Sequence, residues 1–210
     1  MGEAPGGAPA RAVVLAGGRS SRLGGTPKAL FRTEHRADGH SSTLVGHMVV
    51  DLLELGLTSD DVVVVGPEDL PSMPVLRTRE DPPFSGPAAG IVAGLDTLDR
   101  ARPTPDWTLL LACDMPAVRP AVVALLNAAA TAPPEHRGIV VIDDGRLQPL
   151  AGIYRTDALR EAVRDQPSVN RSVRSLVGTL WDAELTLSGV TDDVDTWDDV
   201  DRFGLLPPRD

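Results

Sequence analysis

A 210-residue chain with 42% hydrophobic residues is long enough to bury one sizeable core, and no apolar run approaches the ~20 residues needed to span a bilayer. The formal net charge of −10 opposes the field that a duplex nucleic-acid binder needs, and a lone cysteine, Cys113, excludes an internal disulfide framework and suits a reducing cytoplasm. Residues 1–10 are rich in Gly, Ala and Pro without the apolar centre of a signal peptide, so they read as a flexible tail before a single domain over residues 11–206.

Strand and helix patterns then alternate. Residues 11–16 form an apolar, β-branched run that stops at Gly17-Gly18. Residues 44–55 place Leu44, Met48, Leu52 and Leu55 at helical spacing, and 61–65 is a four-valine strand closed by Gly66-Pro67. Residues 87–98 carry small apolar residues at helical spacing, 107–112 is a fully apolar strand, and 117–130 reads as a helix started by Pro116. Residues 138–143 and 147–154 read as strands joined by the turn Asp143-Asp144-Gly145-Arg146. Helices are predicted over 156–164, 170–178 and 196–203, and a short strand over 184–187. There is no repeat of 20–50 residues and no linker that would divide the chain.

Strands apolar on both faces and alternating with helices predict an α/β fold with a mainly parallel sheet covered on each side. Ligands of such sheets bind outside the carboxyl ends of the strands. That rule brings residues 17–28, Gly66-Pro67, 81–90 and 113–116 to one candidate rim.

The stretch Leu15-Ala16-Gly17-Gly18-Arg19-Ser20-Ser21-Arg22-Leu23-Gly24-Gly25-Thr26-Pro27-Lys28 follows the first strand directly. Its glycines let backbone N–H groups approach a phosphate, Ser20 and Ser21 add hydroxyl donors, and Arg22 and Lys28 add charge. Lys28 is the only lysine among 20 basic residues. Neither G-x-x-x-x-G-K-[ST] nor G-x-G-x-x-G is present. Taken alone, the loop is either a triphosphate cradle or a surface turn.

This opening resembles that of the nucleotidyltransferases related to molybdenum cofactor guanylyltransferase. The resemblance continues in order through Asp81 with Gly86-Pro87-x-Ala89-Gly90-Ile91, then Leu111-Ala112-Cys113-Asp114-Met115-Pro116. Gln148-Pro149-Leu150 with Tyr154 follows on the acceptor side, and Asp193-Val194-Asp195-Thr196 closes it. It departs at Pro27, where the molybdopterin enzymes often carry aspartate and related sugar and alditol nucleotidyltransferases carry proline. It departs also at Gly66, which offers no polar side chain to a base, and at residues 32–43, which look like an insertion. The resemblance implies a Rossmann-like three-layer sandwich of nucleotidyltransferase type with a mixed sheet. It implies nucleotide contacts from Leu15, Ala16, Gly17, Gly18, Lys28, Asp81 and Asp114, and Mg²⁺ held by Asp114 and Asp195. It further implies a nucleoside triphosphate donor, GTP favoured, and a phosphorylated acceptor, molybdopterin favoured.

Each carboxylate also has a plainer reading. Asp114 could cap a turn ahead of Pro116, and Asp195 could belong to a solvated acidic patch with Asp192, Asp193, Asp198, Asp199 and Asp201. Thr196 with Asp199 fits a capping box. Two aspartates suffice for Mg²⁺, which takes one or two carboxylates with phosphate oxygens and water. The implied reaction is in-line attack of an acceptor phosphate on the α-phosphorus. Lys28 and Arg22 would steady the charge on the departing pyrophosphate. The same fold with CTP, UTP or GTP and another phosphorylated metabolite is the alternative, as is a nucleotide-binding module without turnover. His35, His40, His47 and His136 lack zinc spacing, and Cys113 reads as a small buried residue. Arg171 and Arg174 read as a helix face that could meet an anion, and Trp107, Trp181 and Trp197 as packing.

Overall fold

Alternation of buried side chains sets the sheet. In the computed structural model, which describes residues 9–18, 20–33, 42–101, 105–164 and 171–208, the first strand is β1 (Ala10–Leu15). Ala12 and Val14 join the core on one face, Val13 and Leu15 that on the other. The same division runs through β3 (Val62–Val65) and β5 (Trp107–Ala112), where Leu109 and Leu111 oppose Leu110. A strand apolar on both faces must be covered on both, which crossover helices between parallel strands supply.

Seven strands pair in the order β4-β3-β1-β5-β7-β6-β8, completed by β4 (Leu76–Thr78), β6 (Gly138–Asp143), β7 (Arg146–Arg155) and β8 (Ala183–Leu187). β7 runs antiparallel to β5 and β6, and the other pairings in this sheet are parallel. The reversal comes from the expected turn. Asp144 and Gly145 take φ of 47° and 74°, the two successive left-handed residues that a tight hairpin demands.

Helices α1 (Leu44–Glu54) and α3 (Arg119–Thr131) cover one face. Helices α2 (Pro87–Ala101), α4 (Thr156–Arg164) and α5 (Val173–Val177) cover the other. The α/β three-layer expectation is thus realised. Helix α2 lies close to the sheet because a Cβ at Gly94 would stand 2.7 Å from Val13, and one at Gly90 3.1 Å from Leu15. Its first turn therefore meets the carboxyl end of β1. A third, smaller cluster of Leu23, Phe31, Leu44, Val194, Val200 and Leu205 joins the loop after β1 to the C-terminal segment. There β2 (Arg32–Thr33) pairs with β9 (Leu205–Leu206), beside α6 (Trp197–Arg202).

Several details differ from the sequence expectations. Ala10 is already buried in β1, opposite Trp107, so the tail stops short of it; residues 1–8 lie outside the described residues. The helix after Pro116 begins at Arg119 with Pro120 in its first turn, because Met115 to Val118 form a separate hydrogen-bonded turn. Strands β2, β4 and β9 have two or three residues each, too few to show a period. His35, His40 and most of the suspected insertion lie outside the described residues. Trp107 is buried, whereas Trp197 is 48% exposed and packs edge-on against Phe31 at 5.8 Å. No helix among the described residues is long and apolar enough to cross a membrane.

Candidate active site

The carboxyl ends of β1 and β5 lie side by side, with the Cys113 N–H donating to the Leu15 carbonyl at 3.0 Å. Everything that follows is hung on these two strand ends. After β1 the chain turns through Ser20 (φ 42°), Gly24 (φ 65°) and Gly25 (φ 86°); glycine enters that left-handed region without strain. Leu23 is fully buried in the third cluster and anchors the loop. The loop then returns to a single turn of 3₁₀ helix at Lys28, whose N–H donates to the Ser20 hydroxyl at 3.3 Å.

Asp114 follows β5. Its backbone carbonyl accepts from the Val194 N–H at 2.9 Å, which ties the C-terminal segment to the strand end. Val194 is fully buried, so Asp193 and Asp195 on either side of it face the rim beside Asp114. Carboxylate oxygens of Asp114, Asp193 and Asp195 lie within 4.8 Å of one another. Asp199 accepts the N–H groups of Asp195 (3.1 Å) and Thr196 (2.8 Å), while the Thr196 hydroxyl accepts from the Asp199 N–H. The expected capping box thus exists, and it also steadies Asp195.

Lys28 enters this acidic group. Its Nζ donates to Asp114 at 2.9 Å and to Asp195, and Arg22 reaches Asp195 at 2.8 Å from the exposed side. Burial alone would lower the Lys28 pKa; the Asp114 charge and the hydrogen bonds to Asp195 and Asp114 outweigh it and hold the ammonium above its ordinary value. Burial, then the charges of Asp195 and Asp114, raise the Asp193 carboxyl, with Lys28 opposing them. An ammonium held by two carboxylates marks a place of strong negative potential. Three hard oxygen donors with an open side toward a cavity fit a divalent cation of the magnesium kind.

One cavity adjoins the group, and a second borders the first through the shared Leu15, Gly17, Gly18 and Pro87. The first, about 370 Å³, is the more polar of the two and is lined by Ser20, Ser21, Arg22, Lys28, Asp114 and Asp195 among others. The second, about 200 Å³, is more apolar, with Val65, Phe84, Gly86 and Gly90, and contains one carboxylate, Glu80. The pair thus joins a charged cavity to a mainly apolar one.

Lys28, Arg22, Asp114 and Asp195 meet directly, and Leu15, Gly17 and Gly18 line both cavities. Ala16 is buried just behind them, its N–H donating to the Val65 carbonyl at 2.8 Å. Asp81 is exposed next to Glu80 and is not among the residues lining either cavity. Leu150 lines the polar cavity, but Tyr154 is buried and its hydroxyl donates to the Pro149 carbonyl at 2.9 Å, shaping the strand from within. Cys113 is buried, and burial first, then the Asp114 charge, push its thiol pKa up, against a nucleophilic role. Arg171, which precedes α5, folds back onto Ser175 of that helix. Asp193 and Glu80 were missed. A spacing of two about a buried valine was the available signal for Asp193; nothing local distinguished Glu80 from Asp81.

With this geometry in view, comparison with known proteins gives a consistent result. Residues 12–183 match the MobA-like NTP transferase domain, and the chain belongs to that family. A Bacillus mycoides (strain KBAB4) protein described as a "probable molybdenum cofactor guanylyltransferase" is 32% identical over 149 residues, 68% of this chain. A Bacillus cereus (strain B4264) protein of the same description is 33% identical over 68% of the chain. The matched region spans 66% of each relative's own length, just under two thirds. Among solved structures, Rv0371c from Mycobacterium tuberculosis H37Rv shares the fold with TM-score 0.66 at 24% identity, covering 94% of this chain and 97% of its own. So does 2-C-methyl-D-erythritol 4-phosphate cytidylyltransferase from Thermus thermophilus, with TM-score 0.61 at 17% identity, covering 93% and 97%.

Proposed function

We propose that this chain is a Mg²⁺-dependent nucleotidyltransferase of the cytoplasm that transfers GMP from GTP to molybdopterin and releases pyrophosphate. The observation that carries the reading is the only lysine, Lys28, set between Asp114 and Asp195 beneath the glycine-rich loop. Family membership supports the reaction class, and the description of the Bacillus relatives supports guanylyl transfer to the molybdenum cofactor.

In this reading the triphosphate lies in the polar cavity. The backbone of Leu15, Ala16, Gly17 and Gly18 and the hydroxyls of Ser20 and Ser21 surround it. Asp114 and Asp195, joined by Asp193, hold the Mg²⁺, which when bound neutralises phosphate oxygens of donor and acceptor. Lys28 turns from the carboxylates to the phosphates, and Arg22 closes from the exposed side, so both steady the charge passing to pyrophosphate. The acceptor phosphate oxygen forms the new bond to the α-phosphorus as the bond to pyrophosphate breaks. A phosphate monoester is already deprotonated near neutral pH, so no side chain has to remove a proton. Positioning and charge neutralisation supply the catalysis.

The base lies in the apolar cavity, where the Glu80 carboxylate offers an acceptor for guanine N1–H and N2–H₂, with Asp81 exposed beside it. A pocket built on such bonds discriminates strongly, because a wrong base leaves buried polar groups unpaired. One observation favours a second reading, in which another nucleotide and another phosphorylated metabolite are used. A Cβ at Gly66 would stand 2.8 Å from Leu70 and 3.2 Å from the Ala16 carbonyl, so no side chain from the end of β3 reaches the base. The deciding experiment is competition of GTP, ATP, CTP and UTP for incorporation into molybdopterin, read by product mass and pyrophosphate release. We expect GTP to dominate. Equal or better use of CTP overturns guanylyl specificity. Transfer only to a different phosphorylated metabolite establishes the second reading. Nucleotide binding without turnover for any acceptor makes the chain a binding module.

A further inference from the structure

Asp143 is the last residue of β6, at the same rim as Asp114, and its side chain is buried at 4% exposure. One of its oxygens accepts the Gly189 N–H at 2.7 Å. The other accepts the Val190 N–H (2.9 Å), the Thr191 N–H (2.7 Å) and the Thr191 hydroxyl (2.8 Å). Three successive backbone N–H groups converging on one carboxylate form an anion nest. Gly189, at φ 68°, supplies the left-handed turn that aims them. Burial alone would raise the Asp143 pKa, but the Thr191 hydroxyl and these N–H groups outweigh it and hold the carboxyl below its ordinary value.

The nest belongs to the segment that delivers the acidic group. Asp193 stands two residues beyond Thr191, and the next residue, Val194, is bonded to the Asp114 carbonyl. Asp193 is therefore suspended between two anchors, Asp143 upstream and the end of β5 downstream, and Asp195 follows immediately. These four hydrogen bonds of the Asp143 carboxylate all go to residues 189–191. Its oxygens are engaged by N–H and O–H donors of this turn, so it holds the segment rather than the cation. Resting on the reading of Asp114, Asp193 and Asp195 as the cation-binding group, we infer that Asp143 is a positioning residue for that group: it fixes the 189–191 turn from which Asp193 and Asp195 project.

The test titrates Mn²⁺ alone against the purified chain, following free Mn²⁺ by electron paramagnetic resonance, with amide exchange over residues 188–196 and the Mg²⁺ dependence of turnover alongside. Asp143→Ala should weaken Mn²⁺ binding by about tenfold or more, as loss of an outer support of a metal site does. It should speed exchange in that segment and raise the Mg²⁺ requirement more than it lowers kcat at saturating Mg²⁺. Thr191→Val, which removes one of the four bonds, should weaken binding by about twofold. The control is Asp182→Ala. Asp182 similarly holds a backbone N–H, that of Arg137 (3.3 and 3.0 Å), but at the opposite rim, and its loss should leave Mn²⁺ binding unchanged. Wild-type Mn²⁺ affinity in Asp143→Ala overturns the inference, as does an equal loss in Asp182→Ala. If Asp143→Ala does not fold, Thr191→Val decides, and an unchanged affinity there overturns it. A wild-type chain that binds no Mn²⁺ refutes the cation-binding reading itself, and the inference falls with it.

Discussion

Each rim of the sheet carries a charge cluster, and the two differ in balance. At the amino end, Arg11 of β1 donates to Asp99 of α2 at 2.6 Å and to the Thr108 hydroxyl at 3.1 Å, while Arg160 of α4 joins Asp99 to Asp96. Two arginines meet two aspartates, and the charges close. At the carboxyl end three aspartates gather around one lysine, with Arg22 approaching Asp195 from solvent. That group stays short of positive charge and opens onto a cavity of about 370 Å³. The two cations register the difference. Burial dominates at Arg11 and lowers its pKa despite Asp99, whereas the carboxylates dominate at Lys28 and raise it. The amino-end cluster balances its own charges, whereas the carboxyl-end group does not.

Substitutions at four positions probe this contrast. The largest effect is expected for Lys28→Ala: turnover should fall about 10²–10³-fold, as when a preorganised charge at a transition state is lost. The melting temperature should stay near wild type. The same variant should bind Mn²⁺ more tightly in the absence of nucleotide, because a competing cation has left the carboxylates. Steady-state pyrophosphate release, a thermal melt and a Mn²⁺ titration read these outcomes. Near-wild-type turnover would refute the catalytic role of Lys28, and Lys28→Arg should also be impaired, since a bulkier fork cannot take the same point.

Next come Asp114→Ala and Asp195→Ala. Each should raise the Mg²⁺ concentration needed for half-maximal activity by roughly tenfold or more, with Asp114 the more severe. Asp114 is the less exposed of the two, at 20% against 38%, and is fixed at a strand end. If Asp195→Ala kept the wild-type Mg²⁺ dependence, Asp195 would revert to a member of the acidic patch around α6.

The smallest functional effect belongs to the other rim. Arg11→Ala should cost about 2 kcal/mol of stability in urea unfolding, below the ~3–5 kcal/mol of a fully buried pair because Asp99 is partly exposed. Its kcat below the unfolding transition should match wild type. A fall in kcat with unchanged stability would show that the two rims are not separable in the way their charge balance indicates.

Apolar pattern made the strands and most helices legible. Runs such as Val62–Val65 and Trp107–Ala112 are buried on both sides, and burial of that kind is written locally. The glycine-rich loop and its lysine were equally plain, since a stretch containing four glycines right after a strand has few structural uses. Elements of two or three residues escaped because they carry no period; β2 and β9 form where the third cluster brings distant segments together, and β4 only as the edge partner of β3. The sequence could name Asp114 after its strand, and Asp195 within the acidic run, as metal positions only through resemblance.

What the sequence determined by itself was which residues would be buried, where the chain would turn, and that one cation and several carboxylates lay at strand ends. Tertiary structure alone decided their meeting. Lys28 contacts Asp114 and Asp195 across separations of 86 and 167 residues. Asp193 joins them because Val194 is buried and bonded to the end of β5, and Asp143 is enlisted from the neighbouring β6. Such encounters depend on strand order and on which segment packs over which strand end. Local periodicity carries neither, because the same alternation of buried and exposed residues is compatible with many orders of the sheet.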